Sequence, residues 1–206
     1  SGKTSLINII CGSLDIDKGQ IIVKGEDITK KKDFLRYQNI GRVYQDPSMG
    51  TCTEMTVLEN MALADNKGKS YNLGRGTRKN RISYYKESLS KLNLALENKL
   101  NIKVGELSGG QRQGMALLMA TMTPIEFLIL DEHTAALDPK TADIVMELTC
   151  KVVREKNITT IMVTHNIKYA LEYGNRIIML NQGRIALDRT NEEKEDLTID
   201  KVFSIY

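Results

Sequence analysis

Two adjacent carboxylates, Asp131 and Glu132, come directly after the apolar run at residues 127–130. A short apolar run bounded by polar residues predicts a strand that is covered on both faces. The two acids then lie at the carboxyl end of this strand, where open α/β sheets bind their ligands. Because adjacent strand residues point to opposite sides, we expect one carboxylate to face a metal ion and the other a water molecule. The alternative is a buried strand that ends in an ordinary acidic turn.

The chain begins with Ser1-Gly2-Lys3-Thr4-Ser5, ahead of apolar residues with helical spacing. Gly-Lys-Thr in front of a helix matches the end of the phosphate-binding loop G-x-x-x-x-G-K-[ST]. Backbone N–H groups at a helix N-terminus attract anions. Lys3 would then reach the outer phosphates of a nucleotide, while the Thr4 hydroxyl binds Mg²⁺. The first glycine of that loop does not occur in the sequence, and a solvated turn is the alternative.

A second glycine-rich helix start, Ser108-Gly109-Gly110-Gln111, precedes a helical run at residues 115–122. A hydroxyl and two glycines leave several N–H groups of the first helical turn uncovered. We therefore predict a second anion site that is separate from the phosphate loop. The alternative is an ordinary helix start at which Ser108 is only the N-cap.

Two further polar side chains follow predicted strands. Gln45 comes after residues 40–44, and His165 follows the β-branched run at residues 158–163. By the rules for βαβ connections, the second of these strands is parallel to the one that carries Asp131. We expect His165 to lie at the same edge of the sheet and Gln45 to point into the site. The alternatives are a turn glutamine and a structural histidine.

A helical insertion is predicted between about residues 53 and 105. Thr56 fits the N-cap of a first helix, and residues 81–93 form a second, amphipathic one. The polar stretch 66–80 predicts a mobile loop whose charge is either solubilising or used in binding. The apolar face of the second helix is expected to carry Ile82, Tyr85, Leu89 and Leu92.

The remainder of the chain reads as an α/β frame around this insertion. We predict a strand at residues 20–28, a long helix at 139–157, a hairpin at 176–187 and a short terminal helix within 191–206. The hairpin is expected to turn at Asn181-Gln182-Gly183. The inner face of the long helix is expected to carry Ile144, Val145, Leu148, Val152 and Val153.

The composition argues against several classes of protein. The 206 residues are 41% apolar, which suits one domain with a substantial core. A net charge of +3 and the lack of tryptophan argue against a nucleic-acid surface. The three cysteines are far apart and the chain has two histidines, so we expect reduced thiols and no zinc site. No apolar stretch reaches the roughly 18 residues needed to cross a bilayer.

The order of these motifs resembles the nucleotide-binding subunit of ATP-binding-cassette (ABC) transporters, over nearly the whole chain. The resemblance rests on Gly2-Lys3-Thr4, Gln45, Leu-Ser-Gly-Gly-Gln at residues 107–111, Asp131-Glu132, Ala136-Leu137-Asp138 and His165. It implies a P-loop NTPase fold in one domain, with an α/β ABC-type ATPase core at residues 1–52 and 106–206 and an α-helical subdomain at about 53–105. The family has further strands and the start of the phosphate loop upstream, so the N-terminal strands are expected to be missing and the chain as given to bind ATP poorly.

The resemblance also implies ATP and Mg²⁺ as cofactors and assigns the residues that bind them. The end of the Walker A loop would be Ser1, Gly2, Lys3, Thr4 and Ser5. The signature, Ser108-Gly109-Gly110-Gln111, would bind the γ-phosphate of an ATP held by a second subunit. Gln45 would be the Q-loop glutamine, which senses Mg²⁺, and Asp138 would contact nucleotide from the D-loop at the dimer seam. The metal ligands would be Thr4, Gln45 and Asp131.

Catalysis, by the same resemblance, is phosphoryl transfer from ATP to water, which depends on positioning and charge stabilisation. Glu132 would be the general base that polarises the attacking water. His165 would be the switch histidine that touches the γ-phosphate. His133 stands where many members carry proline, and we expect it to be a local structural variant.

The family further implies partners and a location. These are a second copy in a head-to-tail dimer, a transmembrane permease docking near Gln45 and residues 53–63, and a solute-binding protein if the transporter is an importer. The subunit would be peripheral at the cytoplasmic face of the membrane, with no nucleic-acid partner. The segment at residues 131–138 resembles importers of small organic solutes such as amino acids. The alternatives are a soluble, non-transport ABC ATPase and a catalytically silent fragment that only docks a partner.

Overall fold

The fold of this chain is given by a computed structural model that describes residues 2–70 and 76–203. The chain forms two compact units, one within residues 1–33 and 163–206 and the other at residues 34–162. In chain order, the helices and strands are α1 (Lys3–Cys11), β1 (Ile22–Val23), β2 (Glu26–Asp27), α2 (Asp33–Asn39), β3 (Ile40–Val43), α3 (Val57–Asp65), α4 (Ile82–Ser90), α5 (Gly109–Thr121), β4 (Phe127–Asp131), α6 (Pro139–Lys156), β5 (Thr159–Val163), α7 (Ile167–Glu172), β6 (Arg176–Asn181), β7 (Arg184–Thr190), α8 (Asn191–Glu195) and α9 (Ile199–Phe203). The predicted boundaries of a helical subdomain at about 53 and 105 stay a prediction.

The second unit is built around a three-stranded sheet in the order β3-β4-β5. Strands β3 and β4 are parallel, with Val43 opposite Leu130. Leu128, Ile129 and Leu130 are all buried, as the uninterrupted apolar run predicts for a strand covered on both faces. Helix α5 crosses the sheet closely, because a Cβ on Gly41 would lie 2.7 Å from a backbone oxygen of this helix.

The helical part of this unit follows the sequence prediction. Thr56 is the N-cap of α3 and forms a capping box with Glu59. Helix α4 buries Tyr85 and Leu89 in the same core. The two helices are joined by Asp65, whose carboxylate accepts hydrogen bonds from Arg81 at 2.8 Å and from the Tyr85 hydroxyl at 2.9 Å. The loop predicted at residues 66–80 lies partly outside the described residues, since 71–75 are not among them.

Helix α6 begins at its N-cap Asp138 and ends at Asn157, which has a left-handed conformation. The predicted inner face of this helix was wrong at Ile144, which is 45% exposed. Successive helical residues are about 100° apart, and the buried face takes in Val145 and Met146, which leaves Ile144 outside it. The buried face carries Ala142, Val145, Met146, Leu148, Thr149 and Val152.

The first unit contains α1 and two hairpins. The strand predicted within residues 20–28 and left through Gly25 is the first strand of a small hairpin, because Lys24 and Gly25 both have positive φ and form the turn between β1 and β2. Strands β6 and β7 form the predicted second hairpin, which turns at Gln182 and Gly183 with φ of 47° and 76°. The terminal region has two short helices, α8 and α9, where one was predicted. Among the described residues, no helix combines the length and apolar character that a bilayer span requires.

Candidate functional site

The end of strand β4 carries the two predicted carboxylates. Asp131 is the last residue of the strand, whereas Glu132 follows it with a φ of 48°. We expected the side chains of Asp131 and Glu132 to point to opposite sides as strand neighbours. This reasoning does not apply to Glu132, because the strand ends at Asp131. A left-handed conformation is unfavourable for a residue with a Cβ and is typical of functional sites.

Asp131 is ion-paired with Arg42 of the neighbouring strand β3. The distance from Arg42 Nη2 to Asp131 Oδ2 is 2.8 Å, and the two side chains are 9% and 17% exposed. The Arg42 guanidinium also lies 4.6 Å from the centre of the Tyr44 ring, close enough for a cation–π contact. Sequence reasoning missed Arg42, although a lone charged residue within a buried strand indicates a buried partner.

Gln45 is exposed and lies two residues beyond the end of β3. Because β3 and β4 are parallel, their carboxyl ends meet at the same edge of the sheet, which brings Gln45 to the edge that carries Asp131. Asp46 then caps a 3-10 turn by accepting a hydrogen bond from the Ser48 backbone N–H. Hydrogen bonding to the side chain and the backbone of Ser48 lowers the pKa of Asp46.

The signature forms the first turn of helix α5. Ser108 is the exposed N-cap, and its hydroxyl accepts a hydrogen bond from the Gln111 backbone N–H at 3.3 Å. The Gln111 side chain is bound within the chain, because its Oε1 accepts from the Ser108 N–H and from Lys99 Nζ, while its Nε2 donates to the Leu94 carbonyl. These contacts give Gln111 a structural role that sequence reasoning did not predict.

The two glycines of the signature allow α5 to approach the start of α6 closely. A Cβ on Gly109 would lie 3.1 Å from the Leu137 side chain, and a Cβ on Gly110 would lie 2.4 Å from Thr141 Cγ2. Asp138 is in this segment and accepts a hydrogen bond from the Thr141 N–H at 3.1 Å. Hydrogen bonding to the side chain and the backbone of Thr141 lowers the pKa of Asp138. The structure thus brings the signature and the predicted D-loop of the same chain together.

A buried side chain of α5 connects the signature helix to the strand before Gln45. Gln113 is 1% exposed, and its Nε2 donates a hydrogen bond to the Tyr44 carbonyl at 3.1 Å. Sequence reasoning also missed Gln113, because a glutamine just after a signature gives no indication of which backbone group it will meet.

His133 is in the interior, where it is 2% exposed. Its Nε2 lies 3.2 Å from the Thr149 hydroxyl of α6. Burial lowers the pKa of His133 to about 4, so the ring is neutral at neutral pH. These contacts fit the expectation that His133 is a structural variant.

The remaining predicted residues belong to the first unit. Gly2 is the N-cap of α1 with a φ of 93°, and Lys3 and Thr4 begin the helix, with Thr4 exposed. His165 is exposed between β5 and Asn166, the N-cap of α7. Ser5 lies in the first turn of α1, and the predicted Ser1 lies outside the described residues.

The donor atoms at this site suit Mg²⁺. Gln45 and Asp131 offer an amide oxygen and a carboxylate, and Mg²⁺ prefers oxygen ligands, few of them from protein and the rest from phosphates and water. Within residues 2–70 and 76–203, no cluster of three or more His, Cys, Asp or Glu side chains is placed to hold a metal ion.

Comparison with known proteins relates the sequence to one family. The family model described as "ABC transporter" matches residues 1–135. The chain is 50% identical over 202 residues to the tyrosine transport ATP-binding protein of Clostridioides difficile (strain R20291), which covers 98% of this chain and 80% of that protein. It is 31% identical over 211 residues to the phosphonates import ATP-binding protein PhnC of Lactococcus lactis subsp. cremoris (strain SK11), covering 98% and 83%.

Solved structures give the same relationship. The ADP conformation of MJ1267, an ATP-binding cassette of an ABC transporter, matches with a TM-score of 0.80 and 29% identity, over 100% of this chain and 83% of that one. A dimeric, post-hydrolysis state of the ATP-binding cassette MJ0796 with ADP and Pi matches with a TM-score of 0.74 and 29% identity, over 92% and 80%.

Proposed function

This chain belongs to the ABC transporter family, and from that premise we propose that it powers a membrane importer of a small organic solute such as an amino acid. It is the ATP-binding subunit of such a transporter and an ATPase of the P-loop NTPase fold. The observation that carries the importer assignment is the 50% identity over 202 residues to a tyrosine transport ATP-binding protein.

The roles proposed for the catalytic residues are supported by the edge at which β4 ends. Asp131, at the end of the strand, binds Mg²⁺ together with Thr4 and Gln45. Glu132, directly after it, orients the attacking water and accepts its proton as general base. The bound Mg²⁺ would supply neutralisation of phosphate charge. His165 contacts the γ-phosphate.

The phosphates are bound by the starts of two helices in this proposal. Gly2, Lys3, Thr4 and Ser5 hold the phosphates of one ATP at the start of α1, with Ser1 preceding them. Ser108, Gly109 and Gly110 bind the γ-phosphate of an ATP on a second copy. The exposed Ser108 supports this role, because its hydroxyl accepts from Gln111 and keeps its own proton available for a phosphate oxygen.

Gln111 has a structural role in this site, because its side chain is hydrogen-bonded to Leu94, Lys99 and Ser108. It supports the γ-phosphate site by fixing the position of the first turn of α5. Asp138 lies beside the signature and contacts nucleotide at the dimer seam.

The proposed assembly is a head-to-tail dimer attached to a permease at the cytoplasmic face of the membrane, with a solute-binding protein on the other side. The dimer is supported by the related cassette whose structure is a dimer in a post-hydrolysis state. The permease would contact the region of Gln45 and residues 53–63. In this proposal the chain is a single ATPase domain, and residues from about 53 to 105 form its helical subdomain. A solute such as tyrosine would be selected by the permease and the binding protein.

The full-length subunit, reconstituted with its permease in vesicles, tests this function. MgATP hydrolysis should fall by about 10²- to 10⁴-fold in Glu132→Gln, because the general base is removed while the site is otherwise kept. Labelled tyrosine uptake should require ATP and fall in parallel, whereas a labelled phosphonate should not be taken up. Hydrolysis that is unaffected by Glu132→Gln would refute the catalytic assignment, and hydrolysis without coupled uptake would favour a non-transport ATPase.

A further inference from the structure

The residue that follows the proposed general base is held deep in the protein. Glu132 has a φ of 48°, a conformation that is unfavourable for a residue with a Cβ. Its own carbonyl accepts a hydrogen bond from the Ala135 N–H, and on the strand side Asp131 is in the sheet. On the other side, the ring of His133 is 2% exposed.

The direction of the His133 hydrogen bond follows from its partner. Thr149 Oγ1 lies 2.7 Å from the Val145 carbonyl of the same helix and donates its single proton to that oxygen. The hydrogen between Thr149 Oγ1 and His133 Nε2, which are 3.2 Å apart, must therefore be on Nε2. His133 is a donor here, in the neutral Nε2–H tautomer.

The position of Thr149 makes this bond an anchor for a loop. Thr149 is ten residues into α6 from Pro139, so it lies about 15 Å along the helix from its start. The chain between His133 and Pro139 therefore runs from the level of Thr149 to the start of α6. It begins with a turn in which the Ala135 N–H donates to the Glu132 carbonyl at 2.9 Å. The His133–Thr149 bond fixes the start of that segment, immediately beside Glu132.

We propose that His133 is a positioning residue, which holds Glu132 in its reactive placement through a hydrogen bond to Thr149 on α6. This inference rests on the proposed role of Glu132 as general base. Thr149 is 3% exposed, so water does not compete for the bond, and its geometry is as fixed as the helix that carries it. His133 does not touch the substrate; it acts through the backbone it shares with Glu132.

Two substitutions of Thr149 in the full-length subunit separate positioning from packing. Thr149→Val keeps the shape and removes the acceptor, whereas Thr149→Ser keeps the hydroxyl and removes a methyl group. We expect Thr149→Val to lower kcat by about 10- to 100-fold, because a small displacement of a catalytic group is costly, with KM for ATP unchanged. Thr149→Ser should keep kcat close to that of the parent protein.

Substitution of His133 completes a double-mutant cycle with Thr149→Val. His133→Phe keeps a ring but has no donor, and combined with Thr149→Val it should lower kcat no further than either change alone. In a Glu132→Gln background, Thr149→Val should cause no additional loss. Long-range ¹H–¹⁵N spectra, in which the His133 signals are the ones lost in His133→Phe, should show the proton on Nε2.

These outcomes distinguish the inference from the function on which it rests. If Glu132→Gln leaves hydrolysis intact, the general base is assigned wrongly. If Glu132→Gln abolishes hydrolysis but Thr149→Val and Thr149→Ser have equal kcat per nucleotide-binding molecule, the positioning role of His133 is overturned. A proton on Nδ1 of His133 overturns it as well, whatever the kinetics.

Discussion

Gln113, on the buried face of α5, donates a hydrogen bond from Nε2 to the carbonyl oxygen of Tyr44 at 3.1 Å. Tyr44 directly precedes Gln45, and Gln113 is in the helix that Ser108 begins. The helix that begins with the signature, which is proposed to bind ATP, is thus bonded to the segment proposed to meet the permease.

Gln113→Ala should both destabilise the protein and weaken this connection. Truncation of the buried Gln113 leaves the Tyr44 carbonyl without this donor, which costs about 1–3 kcal/mol in the free energy of unfolding. Urea denaturation measures that loss, and the stimulation of ATPase activity by the permease should fall as well. Gln38→Ala, at an exposed position of α2, is the matched control and should change neither. Equal behaviour of the two variants would contradict the prediction.

Arg42→Met should destabilise the protein because it leaves the largely buried Asp131 carboxylate without its cation. Removing one partner of a buried ion pair costs about 3–5 kcal/mol, and Asp131 keeps 17% of its side chain in solvent, so we expect the lower end of that range. Chemical denaturation in EDTA measures this, and Arg42→Met/Asp131→Asn should recover part of the loss.

The exposed pair Arg176–Asp188 provides the control for this prediction. Its side chains are 54% and 35% exposed, so Arg176→Met should destabilise the protein much less than Arg42→Met. If the two arginine substitutions have equal effects, the Arg42–Asp131 pair does not behave as a buried one.

Asp65 should make the stability of the protein depend on pH in acid. Burial alone would raise the pKa of Asp65, but hydrogen bonds from Arg81, Tyr85 and Lys69 bring it to about 2, below its ordinary value. Because the folded-state pKa is depressed, this stabilisation is complete above about pH 4 and is lost as the pH falls towards 2. Denaturation curves at several pH values should show this loss of stability. Asp65→Asn should remove the part of the pH dependence that comes from Asp65.

Tyr85→Phe tests the same cluster without removing a charge. The Tyr85 hydroxyl donates to Asp65, and burial together with that bond raises the pKa of Tyr85 to about 12. Its removal should cost about 1 kcal/mol at neutral pH and shift the acid loss of stability to higher pH. An unchanged acid profile would show that the tyrosine does not contribute to the low pKa of Asp65.

Gly110→Ala should be destabilising because the added Cβ would lie 2.4 Å from Thr141 Cγ2. Threonine is stiff at χ1, so relief requires a backbone shift, at about 1–3 kcal/mol. Thr141→Ser removes the clashing methyl group and should restore most of the stability of Gly110→Ala. The control is Gly76→Ala, at a position with no atom within 4 Å, which should change the unfolding free energy by less than about 0.5 kcal/mol.

Features of the fold that depend on neighbouring residues could be predicted from the sequence. The buried strand before Asp131, the N-caps Thr56 and Ser108 and the hairpin turn at Gly183 each follow from local composition and spacing, and the structure has all of them. Ile144 was misplaced, because the sequence has three adjacent apolar residues at 144–146 and does not say which of them face the core.

Pairings between distant residues could not be predicted in this way. Arg42 meets Asp131 across 89 positions of sequence and Gln113 meets Tyr44 across 69, and both bonds depend on how α5, β3 and β4 pack. The left-handed conformation of Glu132 was also missed, since glutamate has no special preference for it.

The hydrogen bonds of Gln111 to Leu94, Lys99 and Ser108 connect the segment before α5 to the signature. A displacement of residues 94–99 would then shift Gly109 and Gly110 without a change in helix α5 itself. Gln111 thereby links the residues before α5 mechanically to the helix start that is proposed to bind phosphate.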